Sequence, residues 1–123
     1  MINWTSVASA ALALAVMLGA FGAHGLRDRL DAYSLGVYEK AVFYHFVHAL
    51  GLLIVSTLPG IGVLTPEAST RVCWLLLGGI LLFSGSLYLL AVTGTRMLGA
   101  VTPFGGVAFI AAWLLLAYSA KTK

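Results

Sequence analysis

Four apolar runs, each 17 to 21 residues long, constrain what this chain can fold into more than any other feature. They cover residues 5–23, 41–58, 72–92 and 103–119. About 20 apolar residues in a helix cross the ~30 Å hydrocarbon core of a bilayer. A helix satisfies its backbone hydrogen-bonding groups internally in that core, whereas an open strand does not. The runs therefore predict four transmembrane helices.

The composition agrees with lipid as the solvent. Hydrophobic residues make up 61% of the 123 residues and charged residues 9%, whereas soluble domains carry about 25% charged residues. We predict an all-α integral membrane protein, a four-transmembrane-helix bundle with short loops that forms a single membrane domain over residues 1–123. No positive charge precedes the first run, so we interpret it as a retained helix and not as a signal peptide.

Residues 25–40 connect the first two runs and hold six of the eleven charged side chains. This segment is mixed in sign, and we predict that it lies at the membrane interface. Four spans place both termini on the same side of the membrane. The side with the termini carries three Lys/Arg residues and the other side carries four. This difference is too small for the positive-inside rule to set the orientation. We favour cytoplasmic termini because Lys121 and Lys123 have no acidic neighbours.

Polar side chains gather at one side of the predicted bundle. The end of the first helix, the start of the second, the end of the third and the start of the fourth meet in one leaflet. His45 and His48 enter the second apolar run, where an imidazole needs a hydrogen-bonding partner. The candidate ligand-binding residues at this mouth are His24, His45, His48, Glu39, Tyr88 and Thr102.

Three interpretations of the histidines are open. They are structural hydrogen-bonding groups that pair with backbone carbonyls, Tyr88 or Thr102. Alternatively, they bind a transition metal or a haem, for which His24 and His48 are the predicted pair. In the third interpretation they relay protons or bind a polar headgroup in a cavity open to one leaflet. The sequence contains no nucleophile motif, phosphate loop or dinucleotide fingerprint, so no catalytic residue and no cofactor is assigned.

Small residues form flat faces on several of the predicted helices. In the first helix they recur every four positions, a spacing that lets two helix backbones approach closely. We interpret the pattern as packing inside the four-helix bundle, with a homo-oligomer interface as the alternative that the sequence does not exclude. The helix-packing candidates are Ala11, Ala15, Gly19, Ala23, Gly78, Gly85, Gly105 and Gly106.

Four blocks of the chain resemble one known family. They are GAFGAHGL at 19–26, YHFVHALGLL at 44–53, LFSGSLYLLA at 82–91 and TPFGGVAFIAAWLLL at 102–116. The family is that of the YgdD-like small inner-membrane proteins, a domain of unknown function. The resemblance therefore implies the four-span architecture and a bacterial inner membrane, and it implies no reaction. Glutamine is familiar in the family at position 45, which weakens a metal site built on all three histidines. The resemblance highlights Gly22, His24, Gly25, His48, Tyr88, Pro103, Gly105, Gly106 and Trp113.

The leading functional hypothesis is a non-enzymatic membrane protein. It would support a larger membrane complex, or bind a small ligand or lipid at the histidine-containing mouth. One alternative is a transporter of a small solute or ion, which requires a homo-oligomer because four short spans enclose no wide pore. A second alternative is a metal- or haem-binding redox protein. The positive charges form no stripe that would bind nucleic acid, and the single cysteine, Cys73, excludes an internal disulfide.

Overall fold

The computed structural model describes residues 1–121, which contain helices and turns but no strand. Lys123, one of the two lysines used for the orientation, lies outside these residues. The helices are α1 (Trp4–Phe21), α2 (Ala32–Thr57), α3 (Pro66–Gly79), α4 (Gly85–Thr93) and α5 (Thr102–Ser119). The π-helical turns Gly22–Leu26 and Ile80–Ser84 extend α1 and join α3 to α4, and the 3₁₀ turns Leu58–Ile61 and Arg96–Ala100 follow α2 and precede α5.

Four helical segments are long and apolar enough to cross a membrane. They are Trp4–Leu26, Ala32–Ile61, Pro66–Thr93 and Arg96–Ser119, with 23, 30, 28 and 24 residues. The third segment consists of α3, the π-helical turn and α4 in one continuous helix. The fold is therefore an all-α bundle of four membrane-spanning helices, as the apolar runs predicted.

Polar residues at the helix starts explain why the helical segments are longer than the apolar runs. Asp31 caps α2 by accepting a hydrogen bond from the Ser34 N–H at 2.7 Å. Thr65 caps α3 by accepting from the Ala68 N–H at 3.2 Å, and Pro66 occupies the first turn. Capping residues satisfy N–H groups that have no partner inside the helix. Both helices consequently begin before their apolar stretches.

The bundle is built from two closely packed helix pairs. The α1 helix packs along α2, and α5 packs along α3, while α2 also contacts α3 and α4. The main core lies where these elements meet, and its fully buried side chains include Leu52, Val55, Val72 and Leu76. At one end, Trp4 and Trp74 meet edge to face with ring centroids 5.0 Å apart.

Two helix backbones approach each other closely at Gly105 of α5. A Cβ atom there would collide with the backbone of Phe83 in the π-helical turn, so only glycine allows this crossing. Gly106 is less constrained, because its nearest neighbour is the Phe83 ring at 3.9 Å. On α1, Ala15 is fully buried, and a Cβ on Gly19 would contact Val42 at 3.4 Å.

Within residues 1–121, Gly78 and Gly85 do not pack closely against a neighbouring helix, so a place for them in a homo-oligomer interface stays a prediction. A Cβ atom added at either position would meet nothing within 4 Å. The residue of α3 that makes close contact is Gly79, which faces the Phe109 ring of α5. Two adjacent glycines point about 100° apart on a helix, so only the geometry of the crossing decides which one packs. Ala23, at the end of the small-residue row, is exposed.

Candidate functional site

Contacts between α1 and α2 determine how deep each candidate residue lies. The Tyr38 hydroxyl donates to the Leu18 carbonyl at 2.5 Å, and the hydroxyls of Thr5 and Ser56 hydrogen-bond at 3.1 Å. This antiparallel register places the π-helical turn that contains His24 level with the first turn of α2.

The register corrects the prediction that His24 and His48 form a pair. The two hydrogen bonds place His24 level with residues 32–37 of α2, so His48 lies 11 to 16 residues further along, a separation of about 17–24 Å at 1.5 Å per residue. The two imidazoles therefore cannot bind one ion. In the part of the chain that the structure describes, no three His, Cys, Asp or Glu side chains are grouped so that they could hold a metal.

His45 lies near the middle of its span and hydrogen-bonds a side chain of α4. Its side chain is only 2% exposed. Its Nδ1 is 2.8 Å from the Tyr88 hydroxyl. A neutral imidazole has one donor and one acceptor nitrogen, and a hydroxyl both donates and accepts. The two side chains are therefore hydrogen-bonded in either tautomer of His45.

The His45–Tyr88 pair continues into an aromatic contact with Tyr38. The rings of Tyr38 and Tyr88 lie 5.2 Å apart at an angle of 61°. With the Tyr38 hydrogen bond to Leu18, this arrangement joins α1, α2 and α4 through one connected set of side chains. Within residues 1–121, every buried side-chain nitrogen and oxygen has a hydrogen-bonding partner, as a hydrocarbon environment requires.

His48 faces α5 and not the predicted mouth. Its Nδ1–H donates to the Tyr44 carbonyl in its own helix at 2.9 Å. Its ring stacks on Phe109 with centroids 3.5 Å apart, and Trp113 lies 5.8 Å away. These contacts make His48 a packing residue between α2 and α5, which agrees with the interpretation of the histidines as structural groups.

The hydroxyl groups of the bundle link the remaining helices. Thr102 lies 2.6 Å from the Ser86 hydroxyl, which joins α5 to α4. Ser84 donates to the Ala41 carbonyl at 2.8 Å, which joins the π-helical turn to α2. The six candidate residues therefore do not form one site. Only His24 and Glu39 remain exposed at the end of the α1–α2 hairpin.

A cavity of about 400 Å³, which we call the mouth cavity, opens at this end of the hairpin. On the α1 side it is lined by Gly19, Gly22, Ala23 and Arg27. On the α2 side it is lined by Leu35, Tyr38, Glu39 and Val42. Its only charged lining residues are Arg27 and Glu39, both exposed. Glu39 was predicted, whereas Arg27 was missed; its one sequence signal is its place in the charge-rich segment 25–40.

A second cavity, of about 310 Å³, lies between α1 and the α3–α4 span. Its walls are almost entirely carbon, from residues that include Leu14, Leu77 and Leu81. His45 and Tyr88 contribute its polar groups, but these are already hydrogen-bonded to each other. The groove is suited to hydrocarbon, and it carries no free charge that would select a ligand.

Fold and site together define a small multi-pass membrane protein with a cavity at one end of its α1–α2 hairpin. The chain belongs to the family described as "Protein of unknown function (DUF423)", which matches residues 18–106. All six candidate residues and both charged residues of the mouth cavity fall within the matched stretch.

Relatives similar in sequence cover most of the chain. The UPF0382 membrane protein YwdK of Bacillus subtilis (strain 168) is 50% identical over 111 residues, which are 87% of this chain and 86% of the relative. The UPF0382 membrane protein SSP2132 of Staphylococcus saprophyticus is 52% identical over 103 residues, 84% of this chain and 83% of the relative. No solved structure matches the chain.

Proposed function

We propose that this protein is a non-enzymatic, YgdD-like protein of the bacterial inner membrane that binds a phospholipid headgroup in the mouth cavity, with both termini in the cytoplasm. The observation that carries the proposal is the mouth cavity itself, in which two charged side chains stand above apolar walls. The orientation is supported by the charge of the exposed Lys121 at the end of the last span.

The position of the cavity supports a lipid as its ligand. Ala23 and Arg27 lie in and just after the π-helical turn that ends the first span, and Leu35 and Glu39 lie in the first turns of α2. The end of a membrane span is where the hydrocarbon core of the bilayer meets the lipid headgroups. A phospholipid has apolar chains followed by a charged headgroup, which matches the apolar walls and the charged rim of the cavity. The cavity volume also lies within the range of small-molecule sites, about 300–1,000 Å³.

The geometry favours lipid binding over the two alternatives derived from the sequence. A redox protein was based on the His24/His48 pair, whose members lie at different depths. A transporter needs polar groups that face a continuous path, but His45 and Tyr88 hydrogen-bond each other at mid-depth. The cavity at the interface, by contrast, offers exposed charged groups to a ligand.

A bulky residue in the cavity wall tests the proposal. Ala23 lines the cavity and is exposed, so Ala23→Phe fills the cavity without disturbing the core. Ala13→Phe is the matched control, because Ala13 is an exposed residue of the same helix about 15 Å away along its axis. Native mass spectrometry after purification in mild detergent measures the phospholipid that each variant retains.

We expect the wild-type protein and Ala13→Phe to retain phospholipid and Ala23→Phe to lose most of it. Circular dichroism must show the same helix content and melting temperature for both variants, so that the loss is assigned to the cavity. Equal lipid retention by the two variants would refute the proposal.

A further inference from the structure

The two charges at the mouth cavity point to a particular class of headgroup. We propose that the cavity selects a zwitterionic phospholipid with a primary amine, whose phosphate binds Arg27 and whose ammonium group binds Glu39. This inference rests on the proposed lipid-binding function and adds the chemistry that distinguishes one lipid from another.

Arg27 has the chemistry that a phosphodiester requires. The residue follows the π-helical turn at the end of the first span, and its side chain is exposed at the cavity. A guanidinium group is charged at every physiological pH and offers a planar fork of N–H donors. Such a fork binds two phosphate oxygens at once, and the charge strengthens both hydrogen bonds.

Glu39 supplies the opposite charge from the facing helix. It lines the same cavity from α2 and is exposed. The cavity therefore presents one cationic and one anionic group on different walls. A ligand that carries both charges satisfies both groups, whereas an anionic lipid without an amine places its negative charge near an uncompensated carboxylate.

The same carboxylate distinguishes a primary amine from a quaternary one. A primary ammonium group donates N–H hydrogen bonds to a carboxylate, which adds to the attraction between the charges. The choline group has no N–H donor and keeps its charge behind three methyl groups. Glu39 therefore favours phosphatidylethanolamine over both phosphatidylglycerol and phosphatidylcholine.

Neighbouring charges of the same segment provide matched controls. Asp28 and Arg29 are exposed and lie close in sequence, but they do not line the cavity. Glu39→Gln and Asp28→Asn each neutralise one acid, and Arg27→Gln and Arg29→Gln each neutralise one base. A general effect of net charge on lipid binding would be equal within each pair of variants.

The experiment uses the full-length protein in mixed micelles that contain equal amounts of phosphatidylethanolamine, phosphatidylglycerol and phosphatidylcholine, with bound lipid counted by native mass spectrometry. We expect the wild-type protein to retain mainly phosphatidylethanolamine. Glu39→Gln should lower the ratio of phosphatidylethanolamine to phosphatidylglycerol about two- to fivefold, the range for exposed ion pairs. Arg27→Gln should lower the retention of all three lipids about tenfold, since each loses a charge-assisted hydrogen bond. Asp28→Asn and Arg29→Gln should behave as the wild type.

The outcomes separate this inference from the function beneath it. If Ala23→Phe loses lipid but Glu39→Gln keeps the wild-type lipid ratio, the cavity binds lipid without amine selection and the inference is wrong. If Ala23→Phe retains its lipid, the proposed function itself is wrong. Soluble glycerophosphoethanolamine, which has the headgroup but no acyl chains, is added as a competitor. If it displaces the lipid at equal concentration, the site binds a free headgroup compound and the assignment to a lipid is wrong.

Discussion

The hydrogen bond between Tyr88 and His45 allows a precise test of how the bundle is stabilised. Tyr88→Phe keeps the aromatic ring, which packs 5.2 Å from Tyr38, and removes only the hydroxyl. The Nδ1 atom of His45 then loses its hydrogen-bonding partner at 2.8 Å inside a side chain that is 2% exposed. The substitution therefore leaves a buried polar atom without a partner.

Two magnitudes bound the expected effect on the free energy of unfolding. A buried polar atom without a partner costs about 1–3 kcal/mol in proteins generally. Interhelical hydrogen bonds within membranes contribute about 0.6 kcal/mol on average and at most about 1.7 kcal/mol, because helices separated in the membrane find other partners. His45 is enclosed by three helices, so we expect Tyr88→Phe to destabilise the protein by about 1–1.7 kcal/mol, at the upper end of the membrane range.

Reversible unfolding in mixed detergent micelles measures this difference. Tyr44→Phe is the matched control: Tyr44 is also half-buried and its ring lies 4.5 Å from Phe83, but its hydroxyl makes no hydrogen bond within residues 1–121. A double-mutant cycle with His45→Phe isolates the energy of the pair. The reasoning fails if Tyr88→Phe destabilises no more than Tyr44→Phe, or if the cycle yields no coupling.

Two further predictions concern helix packing and a helix cap. Gly105→Ala should destabilise the bundle by about 1–3 kcal/mol, because the new Cβ meets the Phe83 backbone. Gly85→Ala should stabilise the bundle by about 0.5–1 kcal/mol, because its Cβ meets nothing within 4 Å. Thermal unfolding of both variants measures the two effects, and equal shifts in melting temperature would contradict the packing argument. The Ser34 backbone N–H, and then its hydroxyl, lowers the pKa of the Asp31 carboxyl, so the stability from this cap is present above about pH 4 and is lost as the pH falls through the folded-state pKa. Melting curves from about pH 6 to about pH 3 should show that loss in the wild type and not in Asp31→Asn, and identical curves would contradict the assignment.

The four spans could be predicted from the sequence because the bilayer imposes a length and a composition on any crossing segment. The caps Asp31 and Thr65 explain why helices begin outside the apolar runs, and both have side chains that commonly cap helices. The π-helical turn Ile80–Ser84 has no comparable local signal. It inserts an extra residue into the helix and thereby changes which side chains of α4 face α2.

The candidate site was only partly predictable, since it depends on depth and on the face of each helix. Tyr88 was named as a partner for the histidines, and the structure pairs it with His45. The pairing of His24 with His48 failed because a shared mouth does not imply a shared level. Arg27 was missed because the direction of its side chain depends on the π-helical turn that precedes it, and no periodic pattern extends across that turn.

The environment of His45 is compatible with a glutamine at this position. The site requires a hydrogen-bonding partner for the Tyr88 hydroxyl. A neutral imidazole offers one donor and one acceptor, and a carboxamide offers a carbonyl oxygen and an NH₂ group from a side chain of similar length. A metal ligand would not tolerate this exchange, because the amide lacks the imidazole lone pair. Position 45 therefore links α2 to α4 through a hydrogen bond to Tyr88, which separates this structural role from the lipid chemistry assigned to the mouth cavity.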